Sequence, residues 1–188
     1  DSMWNFWGHY NGCKTSAEIL VVKPAGAYSW SSIARGQAIP TNAVDTGSTM
    51  VDGSLRVGRY DGQAGKINLK GNAMSNFRAH GILFRTKDAE ILLLAPNAKA
   101  KWVPISRGDF IPEGVVCVGR TEKDGPNYVG RYQGEAGKIN TDYDRDNAEV
   151  ATKLYNDSDE QAVADRVQVP ARVRLLIKAF SGLGGDHV

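Results

Sequence analysis

The sequence has few of the residues on which metal and nucleophilic chemistry depend. Its 188 residues include three histidines and two cysteines, and neither type recurs at the spacing of a metal-binding motif. It has no phosphate loop of the P-loop or dinucleotide-binding type, and no nucleophile can be paired with a base. We therefore predict a protein that is not an enzyme and that needs no metal and no cofactor.

The sequence also lacks a large excess of charge of one sign, and it lacks long apolar runs. The formal net charge is +2 and the basic residues are interleaved with acids, which argues against nucleic acid as a partner. The longest apolar run, from Ile91 to Pro96, is far shorter than the roughly 20 residues of a membrane-spanning helix. The sequence opens without a charged-then-apolar leader, so we expect a soluble protein and favour a cytoplasmic over a secreted location.

The two cysteines, Cys13 and Cys117, occupy positions that the internal repeat described next does not relate to each other. A disulfide between them is therefore open but not required by the pattern. We expect two free thiols, both buried, because unpaired cysteine packs as a small apolar residue.

What the sequence does contain is an internal duplication. The segment from Trp30 to Asn68 returns 72 residues later as Trp102 to Asn140, without a gap and with 21 identities in 39 positions. Identity at this level does not arise by chance, and it predicts two copies of one structural unit.

The duplication extends beyond this window. Ala17-Glu-Ile-Leu and Ala89-Glu-Ile-Leu stand at equivalent distances before their tryptophans, and 171–177 resembles a third copy of this tail. Asn5-Phe-x-x-His9 matches Asn76-Phe-x-x-His80 at an offset of 71. We place the repeats at 17–88 and 89–177, with 1–22 as an extra tail-type strand segment, in a single domain over 1–188. An insertion of ten residues falls between 141 and 170.

Turn and alternation patterns predict an all-β, mainly antiparallel fold. Asp52-Gly53 and Asp124-Gly125 are flanked by β-rich runs, which predicts hairpins with positive φ at both central residues. Strand candidates lie at 42–50, 55–60, 113–118 and 127–132, and in the alternating tails. One short helix is predicted at 158–166, where Ser158 to Gln161 has capping-box spacing.

One sheet cannot cover its own hydrophobic face, so we expect the two copies to pack about a pseudo-twofold axis. The spare tail at the start of the chain suggests strand exchange. In that arrangement residues 5–22 complete the sheet of one copy.

The order of these motifs resembles the DM-nine repeat family, which includes mannose-binding invertebrate lectins and the lectin modules of natterin-like proteins. The resemblance covers most of 17–177. The residues that carry it are Trp30, Ile39-Pro40, Asp52-Gly53, Val57-Gly-Arg59 and Ala64-Gly-Lys66 in the first copy, and Trp102, Ile111-Pro112, Asp124 to Arg131 and Ala136-Gly-Lys138 in the second.

In the family lectins, an aspartate at the Asp-Gly turn and the lysine of the Gly-Lys motif contact mannose hydroxyls. By match, the resemblance implies one Asp/Lys sugar site in each repeat, formed by Asp52 with Lys66 and by Asp124 with Lys138. A lectin for mannose-type glycans, with a role in recognising microbial or self surfaces, is the function that the resemblance implies.

The residue types suit this chemistry, because sugar hydroxyls both donate and accept hydrogen bonds. Each candidate also has a role that needs no ligand: the aspartates as turn formers, and the tryptophans and Tyr60 and Tyr132 as packing residues. Further sugar-binding candidates are Asn68, Asn140, Arg59 and Arg131. Without a ligand, the asparagines would cap turns locally and the arginines would form surface ion pairs.

A second function class stays open at this stage. The repeats could form an interaction or targeting module of a larger pore-forming-type or scaffold protein. Association into a homodimer is also left open.

Overall fold

The computed structural model describes residues 1–82, 84–121 and 125–141. Every regular element in these ranges is a β-strand and every strand pairing is antiparallel, which confirms the predicted fold class. Within them, no helix is long and apolar enough to cross a membrane. The predicted helix at 158–166, the insertion, the third tail at 171–177 and Asp124 lie outside the described residues.

Thirteen strands follow one another along the described chain. They are β1 (Asn5–Gly8), β2 (Gly12–Lys14), β3 (Ser16–Lys23), β4 (Tyr28–Ala34), β5 (Asp45–Thr49), β6 (Gly53–Tyr60), β7 (Gln63–Lys70), β8 (Ala73–Arg78), β9 (Asp88–Leu94), β10 (Lys99–Ser106), β11 (Cys117–Thr121), β12 (Gly125–Tyr132) and β13 (Glu135–Asn140).

The strands form two sheets of matching order. The first runs β4-β9-β6-β7-β8, with β5 paired to β6, and the second runs β10-β3-β12-β13-β1-β2, with β11 paired to β12. Each strand of the first sheet has its counterpart in the second at the same place. The two copies of the duplicated sequence therefore form two copies of one sheet.

The start of the chain completes the second sheet by strand exchange. β1 pairs with β13 and β3 lies between β10 and β12, whereas β8 and β9 take these places in the first sheet. Phe6 and Phe77 accordingly occupy equivalent buried positions. Each sheet needs one such strand to pair with the open edge of β7 or β13, and the extra tail at the start of the chain supplies this strand for the second sheet.

Three apolar clusters hold this arrangement. The central cluster joins both sheets through residues such as Val57 and Leu92 from the first and Leu20 and Val129 from the second. Two equivalent clusters lie on the other faces, one around Phe77 and one around Phe6. Each sheet is therefore buried on both faces over much of its area.

The duplicated glycines are required by close approach of neighbouring backbones. A Cβ added at Gly65 would lie 2.2 Å from the carbonyl oxygen of Arg78, and one at Gly137 would lie 2.2 Å from that of Trp7. Both distances are far below van der Waals contact. The glycine before each repeated lysine thus lets the next strand pass close beside it.

The Asp52-Gly53 hairpin is confirmed, but the predicted turn type is wrong. Thr49 pairs with Gly53, which leaves a three-residue connection, and only Gly53 has positive φ, at 68°. The two-residue turns with positive φ at both positions are instead Asp61-Gly62 and its counterpart Gln133-Gly134. In the Asp52 hairpin the amide of Asp52 donates to the Thr49 hydroxyl, which stabilises the longer connection.

Cys13 and Cys117 are both free, and both are exposed. The expectation of burial is wrong because each cysteine lies on a strand at the margin of the second sheet, β2 and β11, rather than in a central strand.

Candidate functional site

The structure brings three of the predicted residues together around Lys66. The Nζ atom of Lys66, in β7, lies 2.6 Å from Oδ2 of Asp52 in the β5–β6 hairpin. The side-chain amide of Asn68 donates to the other Asp52 oxygen at 2.6 Å. Lys66 and Asn68 share one face of β7 because they are two residues apart in a strand. We call these residues, with the neighbours described next, the Lys66 site.

A fourth residue, Glu135, was not predicted. Its Oε1 atom lies 2.9 Å from Nζ of Lys66, and its side chain is 1% exposed. The carboxylate also accepts hydrogen bonds from the backbone amides of Tyr10 and Asn11, each at 3.0 Å. Because Glu135 belongs to the second sheet, Lys66 ties the two sheets and the loop after β1 together.

Both carboxylates of the Lys66 site are ionised at neutral pH. Burial alone would raise the pKa of Asp52 and of Glu135, but hydrogen bonds and charge from Lys66 outweigh it, so that each pKa lies below its ordinary value. The amides of Tyr10 and Asn11 lower the pKa of Glu135 further. The site therefore holds one buried ammonium between two carboxylates.

A tyrosine ring closes this ammonium from the outside. Lys66 is fully buried, and its Nζ atom lies 3.9 Å from the ring centroid of Tyr10, whose own side chain is largely in solvent at 55% exposure. An ammonium has three N–H donors, and the carboxylates of Asp52 and Glu135 take two of them. The Tyr10 ring is the further contact of this ammonium.

Arg78 and His9 form the rim of the Lys66 site. Arg78 lies opposite Lys66 in the β7–β8 pairing, and its Nη1 atom donates to Nε2 of His9 at 2.7 Å. Burial, followed by the charges of Arg78 and Lys66, lowers the pKa of His9 below its ordinary value. His9 is therefore neutral at physiological pH, with Nε2 as the acceptor.

The second copy places Lys138 at the equivalent position of β13. Trp7 lies opposite Lys138 in the β1–β13 pairing, as Arg78 lies opposite Lys66, and the Trp7 ring stacks on His80 with centroids 4.4 Å apart. Lys138 is 5% exposed. Its predicted partner Asp124 lies outside the described residues. We call Lys138 with Trp7, His80 and Asn140 the Lys138 site.

The two sites differ at the positions that surround the lysine. The offset of 71 places Gly81 where the Lys66 site has Tyr10, and the offset of 72 places Gln63 where it has Glu135. The Lys138 site thus has no aromatic side chain at the covering position. It also has a neutral amide in place of the acid that joins the sheets.

Buried amides distinguish the Lys138 site further. Asn140 of β13 pairs in register with Asn127 of β12, a position that is Leu55 in the first sheet. Asn127 is fully buried, and neither polar atom of its side chain has a hydrogen-bond partner in the described part of the chain. Buried amides are usually satisfied by protein, water or ligand.

The predicted arginines lie apart from the lysine sites and take part in ion pairs. Arg59 binds the carboxylate of Glu90 with two nitrogens, at 2.7 and 3.0 Å, and Arg131 binds that of Glu18 at 2.6 and 3.0 Å. Each guanidinium also stacks on the repeat tryptophan, Trp30 or Trp102, at 4.6 Å. This is the ion-paired alternative considered for these residues, and it clamps strands rather than presenting a free donor.

Comparison of the chain with protein-family models, with curated proteins and with solved structures finds no match. Among the residues that the structure describes, no three His, Cys, Asp or Glu side chains are grouped as metal ligands. Function is therefore inferred from the residues of the two lysine sites and their geometry.

Proposed function

We propose that the protein is a carbohydrate-binding lectin that recognises mannose-type glycans at the Lys66 and Lys138 sites and catalyses no reaction. The observation that supports this is the convergence of Asp52, Lys66 and Asn68 within hydrogen-bond distance beneath a surface tyrosine. A carboxylate acceptor, an ammonium donor and an amide match the vicinal hydroxyls of a hexose. The Tyr10 ring covers this set of groups and has to move aside before a sugar binds.

Access to Lys66 requires the Tyr10 side chain to move off the ammonium. The contact that is lost contributes about 0.5–2 kcal/mol, whereas a hydrogen bond from the ammonium to a sugar hydroxyl contributes about 1.5–3 kcal/mol. Tyr10 is the exposed tip of the short connection between β1 and β2, so its ring can rotate into solvent. The exchange of ring for hydroxyl is therefore favourable or neutral.

Lys138 is 5% exposed, against the full burial of Lys66, and the counterpart of Tyr10 beside it has no side chain. Gly81 stands at the covering position, and Trp7 adds a half-buried aromatic surface beside Lys138. The side chains of Asn127, which has no hydrogen-bond partner among the described residues, and of Asn140 lie in the same register row of the sheet. We therefore assign the tighter binding of a neutral mannoside to the Lys138 site.

Two sites on one rigid body make the protein bivalent. Each site alone binds a monosaccharide weakly, because few groups contact the sugar, but two linked contacts raise the apparent affinity for a multivalent glycan. This favours clustered mannose-type surfaces over free sugar.

Isothermal titration calorimetry with methyl α-mannoside, together with a glycan array, tests the proposal. Wild type is expected to bind, Lys138→Gln to lose most of the binding, and the double variant with Lys66→Gln to lose all of it. Because Lys66→Gln removes the cation from two buried carboxylates, each variant is first checked for cooperative thermal unfolding.

An amide NMR titration of wild type supplies a test that needs no variant. Methyl α-mannoside is expected to shift the backbone signals of Trp7, Gly81 and Lys138 first. Unchanged binding by a folded double variant, or shifts confined to other parts of the chain, would reject the site.

A further inference from the structure

The two lysine sites share one scaffold but differ in the residue beside the lysine. Arg78 has this place at the Lys66 site and Trp7 has it at the Lys138 site. Resting on the proposed lectin function, we propose that the Lys66 site is specific for a hexose that carries an anionic group, a carboxylate or a phosphate, whereas the Lys138 site takes the neutral hexose.

Arg78 differs in its partners from three other arginines in strands of the sheets. Arg56, Arg59 and Arg131 each bind a carboxylate of the protein at 2.6–2.7 Å. Within the described ranges Arg78 has no carboxylate at ion-pair distance, and its one hydrogen bond goes to the neutral ring of His9. A guanidinium has five N–H donors, so most of those of Arg78 are available to a ligand.

The guanidinium is also held in place. Nε2 of His9 accepts from Nη1 of Arg78, because a guanidinium can only donate, so the ring proton of neutral His9 lies on Nδ1. The Tyr10 ring lies beneath the guanidinium, with 5.8 Å between its centroid and Cζ of Arg78. The His9 contact does not involve the Tyr10 ring, so it still holds this planar cation at the rim of the site when the ring moves off Lys66.

The acids of the site do not repel such a ligand at close range. Asp52 and Glu135 are buried and face the ammonium of Lys66, and the Glu135 oxygens accept from Lys66 and from the Tyr10–Asn11 segment. The two carboxylates and the two cations cancel in net charge. Selectivity for an anion therefore comes from the short-range, bidentate contact with Arg78 rather than from a long-range field.

A carboxylate or phosphate group is the partner that this geometry fits. The planar fork of a guanidinium matches two oxygens of either group, and a neutral hydroxyl uses only one N–H donor. With the sugar ring over Lys66 and Asn68, the charged substituent reaches the next strand, where Arg78 stands. The Lys138 site offers the Trp7 ring at this place, which has no donor for an anion on its face.

Calorimetric titration of the full chain distinguishes these assignments. The probes are methyl α-mannoside, mannose 6-phosphate, mannuronate and inorganic phosphate, and the variants are Arg78→Gln and the charge-matched control Lys101→Gln, which lies exposed on β10. Wild type is expected to bind the anionic sugars with two classes of site. Arg78→Gln is expected to weaken the tighter class about 10- to 100-fold, and Lys101→Gln is expected to leave it unchanged.

The outcomes separate this inference from the proposed function. If wild type binds the neutral mannoside and Arg78→Gln does not alter the binding of either anionic sugar, the lectin function survives and the anionic assignment falls. If no sugar binds, both fall. If inorganic phosphate binds as tightly as mannose 6-phosphate, the Lys66 site is a simple anion site and the sugar assignment is overturned. If mannuronate and mannose 6-phosphate both lose affinity in Arg78→Gln, the assignment of an anionic hexose to this site is supported.

Discussion

The buried ammonium of Lys66 allows a prediction that involves both stability and pH. Replacing Lys66 by methionine keeps an unbranched side chain of similar length but removes the cation between Asp52 and Glu135. Both carboxylates are almost fully buried, at 8% and 1% side-chain exposure, so the folded variant keeps them largely shielded from water. The variant therefore places two uncompensated acids in one buried site.

The expected cost is large at neutral pH. Removing one partner of a buried ion pair destabilises a protein by about 3–5 kcal/mol. Asn68 and the amides of Tyr10 and Asn11 still donate to the carboxylates, which limits the loss. We expect Lys66→Met to lower the free energy of unfolding by about 3 kcal/mol at pH 7.

The pH dependence of this destabilisation shows whether the unpaired carboxylates cause it. In wild type the folded-state pKa values of Asp52 and Glu135 are depressed, so their contribution is present above the unfolded-state values and is lost as pH falls through the folded ones. In Lys66→Met, burial without a cation raises both pKa values. The folded variant then binds protons more readily than its unfolded chain, and the difference from wild type shrinks on acidification.

Urea unfolding measures this destabilisation and its change with pH. It is carried out on wild type, Lys66→Met and the exposed control Lys101→Met, at pH 7 and at about pH 4.5. Adding Glu135→Gln to Lys66→Met is expected to recover part of the loss at pH 7, because it removes one of the two unpaired acids. A loss in Lys66→Met that is equal at both pH values, or no recovery in the double variant, would refute the ion network as its cause.

Three further predictions concern other features of the structure. Gly65→Ala is expected to lower the melting temperature strongly, since its Cβ would overlap the Arg78 carbonyl, at a cost of at least about 1–3 kcal/mol; a calorimetric melt like that of wild type would contradict the close strand approach. Tyr10→Ala is expected to strengthen mannose 6-phosphate binding at the Lys66 site, and Tyr10→Phe is expected to leave it unchanged, because only the ring covers the ammonium. Weaker binding in titration of Tyr10→Ala would show instead that the ring contacts the sugar. Cys13 and Cys117 are expected to react with a thiol reagent in the folded protein, because both are exposed; a native protein that titrates fewer than two thiols would argue against that exposure.

Much of the architecture could be predicted from the sequence, because two similar segments of one chain are expected to adopt the same structure. The repeat from Trp30 to Asn68 predicts two like sheets, and the spare Asn5-Phe-x-x-His9 segment predicts that the chain start completes one of them. Alternating strands and Gly-containing turns then predict the β class. Each of these inferences uses only local pattern or similarity between segments.

The details of the site depend on packing that the repeat does not encode. Glu135 and Tyr10 both come from the second sheet and contact Lys66 of the first sheet, so the contacts join positions that are not equivalent in the repeat. A duplication indicates which residues correspond, but it does not indicate which non-corresponding residues touch. Glu135 could have been noticed only as the acid that replaces Gln63, without any indication of its partner.

The sequence by itself thus determined the fold class, the number of sheets and the pairing of Asp52 with Lys66 implied by resemblance. The tertiary structure alone decided that this pair is buried, that a glutamate from the other sheet shares its ammonium, and that arginine stands beside one lysine and tryptophan beside the other. The physical reason is that burial and charge pairing arise where two sheets meet, and the meeting of surfaces far apart along the chain is a property of the packed molecule.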